Sequence, residues 1–410
     1  MPKHVPDREI LVSQVFTPAT PVSESALFAG RMEQLRRVID TVNQRGRHSI
    51  IFGERGVGKT SLATVIASRL TAQQQILAPR VNCDSGDTFP SLWKKALSRV
   101  NFLRRTEAVG FQMNIFERQM QAAEMLDSDA TPDAVQQVLA GLAELGVVIV
   151  IFDEFDRIQD ATARRLMADT IKALSDHDID ATLVIVGVAD SVHELIQQHE
   201  SIERAVVQTK MPPMSIPELQ LILDNGMGRL QMEMDPAVRT EIALLCQGFP
   251  HYAHSLGLHA TRACLDRHAL KITSADLDVA IQQALDEVNQ TIRSIYDKAV
   301  FSPQRDTLHA SVLLACALVT PGEFGYFTAA NVRAPLSEII GRPYDIPGYS
   351  THLKGFCTEH RGQILQVTGR ARLLKYRFRS PLMRPLIIMK GIAEGRLDRQ
   401  ILHRIHSSRG

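Results

Sequence analysis

One stretch of this chain has the residue types of a polyphosphate cradle: Gly53-Glu54-Arg55-Gly56-Val57-Gly58-Lys59-Thr60, followed by Ser61. It fits the spacing G-x-x-x-x-G-K-[ST]. Its glycines let the backbone curl until several N–H groups converge on one small space. The helix that follows adds its positive N-terminal end. Lys59 is placed to reach the β- and γ-phosphates, and the Thr60 hydroxyl to bind Mg²⁺. The expected ligands are therefore ATP and Mg²⁺. A second constellation is Asp153-Glu154, which ends the apolar run Val147 to Phe152. Asp153 would hold the metal through water, and Glu154 would orient and deprotonate the attacking water. The plainer alternative is a pair of acids capping the next helix. Asp190, after the apolar run Thr182 to Val188, either touches the water at the γ-phosphate or caps a helix over 192–198. The two roles are compatible.

These groups need a sheet to position them. Ser49 to Phe52, Arg80 to Asp84, Val147 to Phe152, Thr182 to Val188 and Ala205 to Gln208 read as strands. Six apolar β-formers in a row before Asp153 indicate a strand buried on both faces, as in a parallel sheet. Ligands of open α/β sheets lie at the C-terminal ends of such strands. Leu62, Val65, Ile66 and Leu70 recur at helical spacing after the cradle. The stretch that follows Arg80 to Asp84, as far as about residue 145, reads as mostly helical, a helical insertion with no assigned chemistry.

From Met211 the β pattern stops, and four helices are expected over Ile216–Leu230, Pro236–Cys246, His251–Arg267 and Ser274–Asn289. Further on, helices over Thr307–Leu318, Thr328–Ile340 and Tyr349–His360 precede a hairpin, Ile364–Thr368 and Leu373–Arg379 around Gly369-Arg370-Ala371-Arg372. In its second strand Leu374, Tyr376 and Phe378 alternate with Lys375, Arg377 and Arg379. One face is apolar and the other cationic, so Arg370, Arg372, Lys375, Arg377 and Arg379 are candidates for nucleic-acid contact. Three helices and a basic hairpin spell a winged helix. The expected fold class is α/β with a parallel sheet, then a helical lid and a C-terminal winged helix. The expected domains are an extended lead-in (1–25) with four prolines, an α/β ATPase domain (26–212), a lid (213–293), a winged helix (294–395) and a tail (396–410).

Composition narrows the class. With 410 residues, 45% hydrophobic and 22% charged, the chain suits a multidomain globular protein. No apolar run approaches the length of a membrane span, and the N-terminus lacks an apolar signal core, so a cytoplasmic protein without membrane contact is expected. Five scattered cysteines fit neither a zinc site nor a disulfide framework. The net charge of +1 hides an asymmetry. Residues 295–410 hold 17 Lys and Arg against 8 Asp and Glu, and the rest 29 against 37. A basic final third on an acidic body points to an anionic partner, double-stranded DNA above all, or else to a solvated positive surface.

In element order the chain resembles an AAA+ ATPase of the origin-recognition/Cdc6-like group, with features of the STAND signalling ATPases. The resemblance rests on Phe28-Ala29-Gly30-Arg31, the cradle, Phe152-Asp153-Glu154-Phe155-Asp156, Gly187-Val188-Ala189-Asp190-Ser191, an arginine before the last strand, a helical lid and a winged helix. It implies that Gly30 and Arg31 border the adenine, that Asp190 stands where the family has a sensor Asn, and that Arg204 is a finger offered to a neighbouring subunit's γ-phosphate. It thereby implies self-association through the nucleotide sites. Gly248-Phe249-Pro250-His251 departs from the origin-recognition pattern and is closer to the G-x-P of STAND proteins, where His touches the β-phosphate. That implies a slow switch, with His251 in the sensor position. The leading expectation is an ATP-dependent DNA-binding switch that loads or recruits a protein partner. The alternative is a STAND-type signalling or defence scaffold whose winged helix contacts protein. A metabolic kinase finds no separate small-molecule domain.

Overall fold

The computed structural model describes residues 8–20, 30–72, 76–107, 115–188, 202–302, 308–370 and 373–407. The chain divides into two compact units. One comprises Pro21–Gly53 and Gly58–Pro212; the other comprises Met1–Thr20, the loop tip Glu54–Val57 and Pro213–Gly410.

The second unit in sequence weight but first in chemistry is the α/β one. Its elements are α2 (Met32–Val42), β1 (His48–Gly53), α3 (Lys59–Thr71), β2 (Ile76–Leu77), β3 (Arg80–Asn82) and α4 (Phe89–Leu97). Then come β4 (Asn101–Glu107), β5 (Ile115–Gln121), α5 (Pro132–Ala143), β6 (Val147–Asp153), α6 (Ala161–Asp176), β7 (Ala181–Gly187) and β8 (Val206–Met211); α1 lies before them, in the other unit, at Arg8–Val15. The sheet runs β2-β6-β7-β1-β8, with β3 also on β6, and its pairings are parallel. Residues Val148 to Phe152 are fully buried, as expected for a strand covered on both faces. Trp93 of α4 stands edge-on to Phe152 and to Phe89, closing one side of this core.

The stretch expected to be mostly helical contains an antiparallel hairpin instead. β4 and β5 pair from Asn101↔Gln121 to Glu107↔Ile115. Its base is pinned where Ala122 N–H donates to the Val100 carbonyl at 2.9 Å, with both side chains buried. Helix propensity is a weak prior, and this anchoring and the cross-strand ladder override it.

In the other unit, α1 occupies Arg8–Val15, within the stretch 1–25 where an extended lead-in was expected. The lid helices are α7 (Ile216–Leu230), α8 (Pro236–Leu245), α9 (Pro250–Asp266) and α10 (Ser274–Asp286), with β9 (Glu233–Met234) paired to β10 (Lys271–Ile272). Val12, Val15 and Phe16 are buried against this lid. The Phe16 ring lies over Gly226 of α7 and Gly257 of α9. A Cβ on Gly257 would come within 2.7 Å of that ring, and one on Gly226 closer still. His254 faces the same ring edge-on and accepts the Thr17 N–H at 3.3 Å. Burial pushes the His254 pKa down to about 4, which keeps that acceptor nitrogen unprotonated at neutral pH.

Beyond the lid lie α11 (Gln290–Val300), α12 (His309–Leu318), β11 (Phe327–Thr328), α13 (Ala329–Ile340), α14 (Pro347–Gly355), β12 (Leu365–Thr368), β13 (Lys375–Phe378), α15 (Met383–Ala393) and α16 (Arg399–Ser407). The sheet order β11-β13-β12 with three helices is that of a winged helix. The tail expected past residue 395 is also structured: Arg399 of α16 bonds Glu241 of α8 at 3.1 Å.

The glycine-lined seat of Phe16 gives a prediction with a sign change. Phe16→Ala should cost about 3–5 kcal/mol of stability in chemical denaturation. Gly226→Ala should destabilise the parent chain through the clash. In the Phe16→Ala background the same change should stabilise by up to about 1 kcal/mol, because Ala is the better helix former. Equal effects in both backgrounds would contradict this seat.

Candidate functional site

The site is assembled by β1, by the helix α3 that follows it, and by β6, which β7 separates from β1 in the sheet. β1 delivers the chain into the glycine loop, where Gly56 and Gly58 have φ of 88° and 95°. Such left-handed backbone suits glycine and turns the chain into α3. Lys59, the first residue of α3, donates from Nζ to the Gly53 carbonyl at 3.0 Å, spanning the loop's two ends. Thr60 follows, and its hydroxyl lies 3.4 Å from Asp153 Oδ1 at the end of β6. The loop hydroxyl and the strand-end carboxylate thus lie side by side. A hydroxyl and a carboxylate side by side are hard oxygen donors of the kind that suit Mg²⁺.

Asp153 is 1% exposed. Its Oδ1 accepts the Glu154 N–H at 2.9 Å as well as facing Thr60, while Oδ2 accepts from Arg80 Nη2 at 3.1 Å. Burial pushes the carboxyl above its usual range, and Arg80 and the two hydrogen bonds oppose that push. Arg80 was not singled out by motif reasoning. The signal available was positional: it starts the strand beside β6, in register with Ile151, and its side chain reaches Asp153 two residues further along.

Glu154 sits at φ 56°, a left-handed conformation uncommon for a residue with a side chain. Its Oε2 accepts from Arg157 Nη1 at 2.9 Å, and both side chains are largely exposed. Such an exposed pair is weak and is readily exchanged for another partner.

The remaining expected residues lie at varied distances from this cluster. Gly30 and Arg31 lead into α2 with φ of 69° and 58°. Arg31 is buried, and its guanidinium donates to the Pro212 carbonyl. Arg55 is exposed, while Glu54, Val57 and Ser61 are at least partly covered. Arg204 is exposed just before β8, and Val206 pairs with His48, the first residue of β1. The phosphate loop leaves the opposite end of β1, roughly 16 Å away along the strand. Arg204 is therefore not brought to the loop of its own chain. His251 opens α9 in the other unit, where its Nδ1 lies 2.9 Å from the Pro18 carbonyl. Asp190 lies outside the described residues, as does Arg372.

On the wing, Tyr376 and Phe378 are buried and Lys375 and Arg379 exposed, as the alternation predicted. Arg370 is exposed at the hairpin turn. Arg377 departs from an open cationic row: it is half-buried, with its guanidinium 4.7 Å above the Tyr326 ring. The preceding helix α14 turns Thr351 and Lys354 outward, two positions that the hairpin pattern alone could not identify.

A profile of the AAA ATPase domain matches residues 27–186. Residues 27–186 form an AAA ATPase domain. Its structure is similar to that of the Walker-type ATPase paby2304 of Pyrococcus abyssi, at 16% identity and a TM-score of 0.56, covering 91% of this chain and 99% of that one. It is also similar to the ORC2 protein of Aeropyrum pernix, solved in ADPNP–ADP complexes, at 14% identity and a TM-score of 0.50, covering 93% and 98%. No curated protein matches this ATPase in sequence. The fold shared with both structures extends over nearly the whole chain. Among the described residues, no helix of this ATPase is long and apolar enough to cross a membrane.

The geometry separates two variants. Lys59→Ala should lose ATP binding, read by equilibrium titration of a fluorescent analogue. Glu154→Gln should keep binding and lower turnover by about 10²–10⁴-fold, the usual worth of general-base assistance. Parental turnover in Glu154→Gln would remove Glu154 from the chemistry.

Proposed function

We propose that this ATPase is a slow nucleotide switch that controls the binding of double-stranded DNA by its winged helix, and thereby the recruitment or loading of a protein partner. In the nucleotide site, the N–H groups of the glycine loop and Lys59 bind the phosphates. Thr60 and Asp153 hold Mg²⁺, which would supply charge stabilisation to the phosphate oxygens. Glu154 leaves Arg157 to accept the proton of the attacking water. Glu154 becomes available once this weak, exposed pair opens. Arg204, far from its own loop, acts on a neighbouring subunit's γ-phosphate, so the active form is an oligomer. We assign Gly30 and Arg31 to the adenine's border and Asp190 to the γ-phosphate's water, as the family resemblance implies.

The observation that carries the DNA reading is the wing. Arg370, Lys375 and Arg379 are exposed along one hairpin, with Thr351 and Lys354 on the helix before it. In helix-turn-helix proteins that second helix enters the major groove while flanking cations meet phosphates. Arg377, braced on Tyr326, holds the wing's shape.

A specific contact favours the second reading, a STAND-type signalling or defence scaffold with a protein-binding winged helix. Arg384 of α15 is buried and donates to the Val319 carbonyl at 2.7 Å and to Gln247 Oε1 at 3.0 Å. Gln247 immediately precedes Gly248-Phe249-Pro250, so winged helix and lid are joined at that motif. Tyr252 adds a bond to the Leu382 carbonyl at 2.7 Å.

Salt dependence of binding decides between them. Each phosphate neutralised contributes about 0.9 to the slope of log affinity against log salt. Changing Arg370, Lys375 and Arg379 to Ala should lower the slope for duplex DNA by about 2–3, read by fluorescence anisotropy with ATP present. No duplex affinity in the parent at low salt, or an unchanged slope, would leave the scaffold reading standing.

A further inference from the structure

Arg80 is the one cation bonded directly to the buried carboxylate of the candidate metal site among the described residues. Its guanidinium is fixed from several sides. Nη2 donates to Asp153 Oδ2 at 3.1 Å and to Asn82 Oδ1 at 3.3 Å, and Nη1 donates to Thr64 Oγ1 at 2.5 Å. Thr64 in turn donates to the Thr60 carbonyl at 2.7 Å, one helical turn back. Arg80 thus touches one proposed metal holder directly and the other through a single hydroxyl. Its Nε is buried without a hydrogen-bond partner. The side chain leaves that donor unmet while both terminal nitrogens stay on the site, so the terminal contacts set its position.

The division of Asp153's oxygens follows from this. Oδ2 belongs to Arg80, and Oδ1 is turned to Thr60 and the Glu154 N–H. A fixed positive charge on Oδ2 also repels a second cation arriving at Oδ1, since like charges a few ångströms apart inside a protein interact strongly. We propose that Arg80 is a stand-in cation for the metal site: it neutralises and orients Asp153 when nucleotide is absent, and it holds metal affinity low enough that Mg²⁺ enters only with the phosphates. Arg80 is a positioning residue; it acts through Asp153 and Thr64. The proposal rests on the reading of Thr60 and Asp153 as the metal's holders.

The test reads Mn²⁺ binding by electron paramagnetic resonance, on the full chain, first without nucleotide and then with ADP. ADP binding in EDTA reports an intact fold. Arg80→Gln removes the charge and keeps hydrogen bonding. It should tighten nucleotide-free Mn²⁺ binding by roughly tenfold or more over the parent. Thr64→Val keeps the charge but releases Nη1; it should tighten binding by a smaller factor, about two- to fivefold. A purely structural role for Arg80 would give weaker or unchanged metal binding, never tighter. The proposal is overturned if Arg80→Gln folds and binds free Mn²⁺ no better than the parent. Should Arg80→Gln not fold, parental Mn²⁺ affinity in Thr64→Val overturns it. Asp153→Asn separates the two layers of the argument. If it retains Mn²⁺ with ADP as the parent does, the metal-site reading itself fails. If it loses Mn²⁺ while Arg80→Gln gains nothing, only the role of Arg80 fails.

Discussion

A carboxylate with 1% exposure at the end of a fully buried strand must be compensated, and much of the α/β unit is arranged around doing so. β6 carries Asp153 there because five consecutive fully buried apolar residues, Val148 to Phe152, fix the strand between two covered faces. β3 alongside supplies Arg80, and the turn after the glycine loop supplies Thr60. Uncompensated, an ionised group in that position would cost several kcal/mol. The same groups that meet this electrostatic demand form a small set of oxygens and cations suited to a metal-bound polyphosphate. Stability and chemistry therefore share their residues, and a change to one is a change to both.

The other unit follows a different logic, in which close packing rather than charge sets the constraints. Two helical glycines make room for one aromatic ring, and the N-terminal helix becomes part of the lid. Arg384 is buried against main-chain carbonyls and Gln247, so the last long helix of the winged-helix region and the lid share one hydrogen-bonded joint. Well-packed joints of this type transmit a shift as a rigid movement rather than absorbing it. That property is what a nucleotide-driven output at the wing requires.

The strand-loop-helix unit was legible because its signals are local: glycine spacing, a run of apolar β-formers and a strand-end acid pair. The wing was legible for the same reason, since Tyr376 and Phe378 alternate with cations over a few residues. Long-range pairing was not legible. Asn101–Glu107 and Ile115–Gln121 have a composition compatible with helix, and only their mutual ladder makes them strands. Prolines hid the N-terminal helix, whose reason to fold is a socket more than 200 residues away. Arg80 escaped notice because a single arginine at a strand start has no motif; its meaning comes from the neighbouring strand. Arg377 looked equivalent to Lys375 and Arg379 by period, yet Tyr326 from another segment takes it out of the row.

The central claim is that the state of the nucleotide site sets the affinity of the wing for DNA. It is tested most directly by measuring binding of one duplex to Glu154→Gln at fixed salt, once saturated with Mg²⁺–ATP and once with Mg²⁺–ADP. In that variant the ATP state persists long enough to be read. The account predicts dissociation constants differing by at least about tenfold, equivalent to roughly 1.4 kcal/mol of coupling between the sites. Equal affinity in both states would contradict it.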